Sequence, residues 1–211
     1  MSTAVALRDA VVVSGGFPLL AGVSLEIPAG AGTLLVGPNG AGKTSLLRLI
    51  GGLERLAAGS GSVLGHDLRR GNARDLRRRV GWLGHDGSFY DDLSARENLL
   101  FAAAALERPR ALVDEALERV GLASRATTRA RRLSAGQRRR LAIAWLVVRR
   151  AELWLLDEPY AALDDDGRSL LDGLLVEVVA AGATVVASAH DPLRSAAIAT
   201  TVRLGGGRVL P

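Results

Sequence analysis

The chain contains no cysteine. That absence excludes a disulfide framework and a thiolate metal site, and it fits a cytosolic protein. Long apolar runs are also missing: the longest, Leu99–Leu106 and Leu141–Val148, have eight residues each. A membrane-crossing helix needs about 20, so the chain is expected to be soluble or peripheral to a membrane. Met1 to Ala10 has no basic stretch followed by an apolar one, so no export signal is expected. Aromatic residues make up only 4% of the chain, and none interrupts the densest basic run, Arg69-Arg70 to Arg77-Arg78-Arg79. Single-stranded nucleic acid needs stacking rings there, so no nucleic-acid partner is expected. The net charge of +5 is read as an arginine-rich bias with solvated faces. Lysine is nearly absent: of 27 Lys and Arg residues, only Lys43 is a lysine. What remains, 48% hydrophobic over 211 residues, supplies the core of one domain, or of one domain with a subdomain.

The single lysine stands in Gly37-Pro38-Asn39-Gly40-Ala41-Gly42-Lys43-Thr44-Ser45. This stretch satisfies G-x-x-x-x-G-K-[ST] at every specified position. The residues before it, Thr33 to Val36, read as a buried strand, and those after it, Ser45 to Ile50, as a helix. Glycines 37, 40 and 42 allow backbone angles that a Cβ forbids. Successive N–H groups then form an anion nest at a helix N-terminus. Lys43 would reach the β- and γ-phosphates and the Thr44 hydroxyl would bind Mg²⁺. Arginine does not replace that lysine, because its planar fork does not fit a tight phosphate cradle.

Along the chain, Ala4–Val13 and Leu19–Ile27 read as strands split by Ser14-Gly15-Gly16. Ala57 to Gly61 reads as a chain break, followed by short strands at Ser62–Leu64 and Val80–Leu83. From Ser94, which opens a capping box with Glu97, to about Val120 the periodicity is helical. A loop from Arg131 becomes a helix at Gly136. Glu152–Leu156 and Ala183–Ala189 read as buried strands, Gly167–Ala180 as an amphipathic helix, and Thr200–Leu204 with Arg208–Leu210 as a glycine-linked hairpin. The order implies a single α/β domain over 1–211, with an N-terminal antiparallel β subdomain and helices inserted at about 87–145.

Three further stations carry chemistry. Leu153 to Leu156 is an apolar strand that ends in Asp157 and Glu158. Carboxylates there sit at the crevice where open α/β sheets bind ligands. Asp157 would hold Mg²⁺, and Glu158 would polarise the attacking water. His190 follows the apolar strand Thr184–Ala189, where an imidazole could meet the γ-phosphate. Leu133-Ser134-Ala135-Gly136-Gln137 precedes a helix, with Ser134 as N-cap. It is a second anion-binding helix start without a lysine, so two copies of the chain are expected to close around one nucleotide.

Together these motifs resemble the nucleotide-binding subunit of ABC transporters, over the full chain and in the family's order: Walker A at 37–44, an LSxGQ-type signature at 133–137, Walker B at 153–158 and a switch histidine, His190. Ala161-Ala162-Leu163-Asp164 resembles the D-loop. The resemblance implies a P-loop NTPase of the ABC type that hydrolyses ATP with Mg²⁺. It implies a head-to-tail homodimer, with each ATP between Walker A of one chain and Ser134–Gln137 of the other. It also implies an integral membrane permease as partner, and a cytoplasmic place on the inner face of the cell membrane. The chain departs from the family at two positions. Ser14 stands where an aromatic usually stacks on adenine, with Phe17 the nearest ring, and His85 stands where a glutamine usually joins the core to the helical subdomain. Leu83-Gly84-His85, Leu93 to Leu99 and Leu153 to Pro159 are similar to one branch, the haem exporter ATPase of bacterial cytochrome c maturation. An exporter of drugs or lipids is the alternative. A soluble ABC ATPase acting on nucleic acid or ribosomes is a further one, although such members usually carry paired cassettes or long coiled coils.

Overall fold

The computed structural model describes residues 2–70, 73–84, 89–189, 193 and 195–211. Two sheets enclose one helix. β1 (Thr3–Ser14), β2 (Phe17–Pro28), β4 (Ala58–Val63) and β5 (His66–Asp67) form an antiparallel sheet in the order β2-β1-β4-β5. The second sheet has the order β10-β9-β3-β8-β7-β6, built from β3 (Gly32–Val36), β6 (Val80–Leu83), β7 (Leu153–Asp157), β8 (Thr184–Ser188), β9 (Ile198–Gly205) and β10 (Arg208–Leu210). Its strands pair in parallel except for the terminal β9–β10 hairpin.

Within the second sheet β3, β6, β7 and β8 are largely apolar because both faces are covered there. Side chains alternate across a strand. Leu35, Leu153, Leu155 and Val186 therefore enter one core, and Leu34, Trp154, Leu156, Val185 and Ala187 the other. The first core is shared with α1 (Lys43–Ile50), which inserts Leu46, Leu47, Leu49 and Ile50 between the two sheets. Each of these side chains is 0% exposed; burying one contributes about 1.5–3 kcal/mol. The second core is shared with α3 (Ala95–Ala105), α4 (Ala111–Arg119), α5 (Ala135–Arg149) and α6 (Asp165–Ala180). Three of these, α3 to α5, lie in the chain between β6 and β7.

Several expectations change in detail. Ala57 to Gly61 is no break: β4 pairs there with β1, Gly61 opposite Leu7 and Ala58 opposite Val11. The glycines mark close approach of two backbones. A Cβ on Gly59 would lie 2.1 Å from the Asp9 carbonyl oxygen, and one on Gly61 would lie 2.6 Å from Leu7 Cδ2. Asp9 (φ 49) is a bulge. It shifts the inward phase of β1 from Val5 and Leu7 to Ala10 and Val12. The expected helical segment from Ser94 to Val120 is two helices, separated at Glu107 (φ 55) and Pro109. A short helix, α2 (Arg74–Arg79), forms in the basic run, where none was read. The last long helix begins at Asp165 rather than Gly167, because Asp164 is its N-cap and accepts from the Gly167 N–H.

Candidate active site

The carboxyl ends of β3, β6 and β7 open on one cavity of about 840 Å³. The loop from β3 to α1 wraps its floor. Gly37, Gly40 and Gly42 take φ of 153, 75 and 99, angles of the left-handed side that suit glycine. The loop is also packed too closely for side chains. A Cβ on Gly37 would lie 2.2 Å from the Leu204 carbonyl oxygen, and one on Gly42 would lie 3.0 Å from Leu20 Cδ2. The terminal hairpin closes this packing: the Gly207 N–H donates to the Ala41 carbonyl, and the Ala21 N–H donates to the Gly207 carbonyl. Asn39 to Ser45 line the cavity, and Gly37 and Pro38 form the start of the loop. Lys43 is only 7% exposed, and its Nζ donates to the carbonyls of Gly37 (2.7 Å) and Pro38 (3.1 Å). The ammonium is thus held across the loop mouth by acceptors of the loop itself.

Asp157 closes the opposite wall. Its Oδ2 accepts from Thr44 Oγ1 at 2.8 Å, and its Oδ1 accepts from Ser188 Oγ at 2.6 Å. The Thr44 bond joins residues 113 positions apart. Among the described residues no cluster of three His, Cys, Asp or Glu forms a metal cage. The Thr44–Asp157 pair nonetheless suits Mg²⁺, which takes one or two protein oxygens and fills its octahedron with water and phosphate. Glu158 follows, lines the same cavity and has φ 46, with its N–H donating to the Ser188 carbonyl at 3.1 Å.

Ser134, Gly136 and Gln137 are not gathered into this cavity. They open α5 with a reciprocal capping box: Ser134 Oγ accepts from the Gln137 N–H, and Gln137 Oε1 accepts from the Ser134 N–H. Ser134 is exposed, and the position of a Gly136 Cβ lies 3.1 Å from the Ala162 carbonyl oxygen. None of Ser134, Gly136 and Gln137 lines the cavity of the phosphate loop. Phe17 is 75% exposed at the start of β2, beside Pro18 and Leu19 of the cavity wall. His85 and His190 lie outside the described residues.

Two groups escaped sequence reasoning. Ser188 gave no signal beyond ending an apolar strand. Arg139 was hidden in the run Arg138-Arg139-Arg140. It is 6% exposed, and burial holds its pKa down to about 10 against the opposing charges of Asp157 and Glu158.

Beside the cavity lies an apolar cleft of about 370 Å³, lined by Leu53, Trp82, Phe89, Ala142 and Trp145 with Arg77 and Arg149. Trp82 and Gly84 line both spaces. Phe89 and Trp145 meet edge to face at 6.2 Å. No helix among the described residues is long and apolar enough to cross a membrane.

Comparison with known proteins agrees with this geometry. The model of the ABC transporter family matches residues 20–161. The chain is 38% identical to the cytochrome c biogenesis ATP-binding export protein CcmA of Cupriavidus pinatubonensis, over 97% of this chain and 90% of that one. It is 42% identical to the protein of the same name from Rhodopseudomonas palustris, over 88% and 90%. Among solved structures, it superposes on an ATP-binding subunit of an ABC transporter with a TM-score of 0.88 at 25% identity, over 97% of this chain and 87% of that one. It superposes equally on a dimeric post-hydrolysis ATP-binding cassette bound to ADP and Pi, with a TM-score of 0.88 at 25% identity, over 98% and 97%. With two sheets around the phosphate loop and a family match that spans from β2 past Glu158, this chain belongs to the ABC transporter family, as one of its ATPases.

Proposed function

We propose that the chain binds and hydrolyses ATP with Mg²⁺ and drives export through a separate membrane permease, the exported species being haem for cytochrome c assembly. The export task is supported by the names of the relatives and by the loop sequences around Gly84, Ser94 and Asp157. The observation that carries the ATPase reading is the 2.8 Å bond between Thr44 and Asp157. It places the phosphate loop against the acidic strand end, where a nucleotide's terminal phosphates would lie between them.

In this reading the loop N–H groups of residues 39–45 and the Lys43 ammonium hold the β- and γ-phosphates. Thr44 and Asp157 hold Mg²⁺, which neutralises phosphate charge when bound. Glu158 takes the proton of the attacking water. His190 contacts the γ-phosphate, and His85 takes the place of the linking glutamine. Ser134, Gly136 and Gln137 complete the site of a second copy, a reading supported by their lying outside the lining of their own phosphate-loop cavity. Phe17 is the ring available to the base. The apolar cleft receives a segment of the permease, and that contact holds the chain at the membrane. Trp82, shared by the cleft and the nucleotide cavity, links occupancy of one to the other.

Glu158→Gln keeps shape and removes basicity. Its ATPase rate should fall by about 10²–10⁴-fold, the usual contribution of a general base, while ATP binding persists. Hydrolysis at the parental rate would show that another group is the base.

A further inference from the structure

Arg139 lies in the second turn of α5 with its guanidinium buried against the end of β7. Its Nε donates to the Pro159 carbonyl at 3.2 Å. Its Nη2 donates to the carbonyls of Asp157 (3.1 Å) and Glu158 (2.6 Å), and its Nη1 donates to that of Gly84 (2.5 Å). Three consecutive carbonyls thus converge on one cation, and the fourth comes from the end of β6. A guanidinium can serve them all because it carries five N–H donors in a fixed plane. Among the described residues no carboxylate forms an ion pair with it. A buried charge whose hydrogen bonds all go to peptide carbonyls is a costly arrangement; burial pulls its pKa down, and the nearby charges of Asp157 and Glu158 offset that only in part.

The turn it holds is itself unusual. Glu158 sits at φ 46, a region that non-glycine residues occupy only when their surroundings impose it. Both sides of the residue are fastened: its N–H to the Ser188 carbonyl, its carbonyl to Arg139. The peptide cannot rotate out of the left-handed region without giving up the arginine bond. Arg139 rides on the helix that begins at Ser134, whereas Glu158 and Gly84 belong to the sheet.

We infer that Arg139 is the positioning residue for Glu158: it holds the 157–159 turn at the angle that aims the carboxylate into the phosphate cavity, and it ties that aim to the placement of α5. The inference rests on the reading of Glu158 as general base. Arg139 makes no bond to the phosphate loop and meets the metal pair only at the backbone carbonyl of Asp157, not at its carboxylate, so its loss is expected to act on the chemical step more than on nucleotide capture.

Arg139→Gln, Arg139→Lys, Glu158→Gln and the double variant Arg139→Gln/Glu158→Gln, each in the full chain, test it through kcat, KM and direct ATP titration. Arg139→Gln should lower kcat about 10²-fold, the scale of a small misplacement of a reacting group, with KM and ATP affinity within about twofold of the parent. Lysine should rescue little, since one ammonium cannot span four carbonyls in a plane. In the double variant, loss of Arg139 should add nothing to loss of Glu158, since residues that act as a unit are not additive. Parental kcat in folded Arg139→Gln, a matching fall in ATP affinity, or full multiplication of the two losses would overturn the inference. If the glutamine variant is not recovered folded, Arg139→Lys carries the same test, and parental kcat there would be equally fatal. Parental activity in Glu158→Gln alone overturns the base assignment instead, and is read separately.

Discussion

Lys43 shows how much one residue type in one place can carry. Its Nζ already spans the carbonyls of Gly37 and Pro38, so the ammonium is preplaced and loses little freedom on meeting phosphate. Lys43→Ala removes a charge-assisted contact of about 1.5–3 kcal/mol. ATP affinity should fall by about one to two decades in an equilibrium titration, and Lys43→Arg should recover little of it. Unchanged affinity in the alanine variant would remove Lys43 from the site. Lys43, Thr44 and Asp157 were legible in the sequence because their signal is local: a fixed glycine spacing, and a carboxylate directly after an apolar strand. Arg139 and Ser188 were not. Their importance lies in bonds across 18 to 55 and 31 positions, and no spacing rule encodes which carbonyl an arginine will reach.

At the scale of the element, the start of α3 is fastened in several ways. Ser94 Oγ accepts from the Glu97 N–H, and one Glu97 oxygen accepts from both the Ser94 N–H and its hydroxyl at 2.7 Å. Buried Asn98 adds bonds to the carbonyls of Tyr90, Leu93 and Ser94. The backbone N–H and then the hydroxyl of Ser94 hold the Glu97 carboxyl below its ordinary pKa of 4.5. A carboxyl depressed in the folded state stabilises above its unfolded pKa and ceases to do so as pH falls through the folded value. Glu97→Gln should therefore melt below the parent at neutral pH, and the gap between the two should narrow as pH falls below 4.5. A gap that is constant across a melting series from pH 7 to pH 3 would count against the charge as its source. This capping box was readable from S-x-x-E alone. β4 was not, because glycine looks like a break until the close passage of β1 gives it a reason.

For the whole molecule, the order of strands and helices sufficed to foresee an α/β core with an antiparallel β region and a helical insertion. It did not reveal that α1 would be enclosed between two sheets with a separate core on each side of the larger one. That division depends on which face of each strand meets which layer, and continuous apolar runs such as Leu153 to Leu156 carry no alternation from which to read it. Ser134 lies outside the lining of its own phosphate-loop cavity. The Glu158→Gln chain should accordingly be a monomer without nucleotide and a dimer with ATP, as measured by light scattering. A monomer at saturating ATP would show that the isolated subunit does not pair through this helix start.

The hairpin of β9 and β10 gives the phosphate loop a history as well as a shape. Ala41 is bonded to Gly207, and Gly37 leaves room for the carbonyl of Leu204, so the loop's packing is completed by residues far downstream in the sequence. During synthesis on a ribosome, the loop emerges early and remains unbraced until those late residues follow. Tight nucleotide capture is therefore expected to need β9 and β10: a chain that ends before Ile198 carries the whole glycine motif but should bind ATP more weakly than the parent in an equilibrium titration.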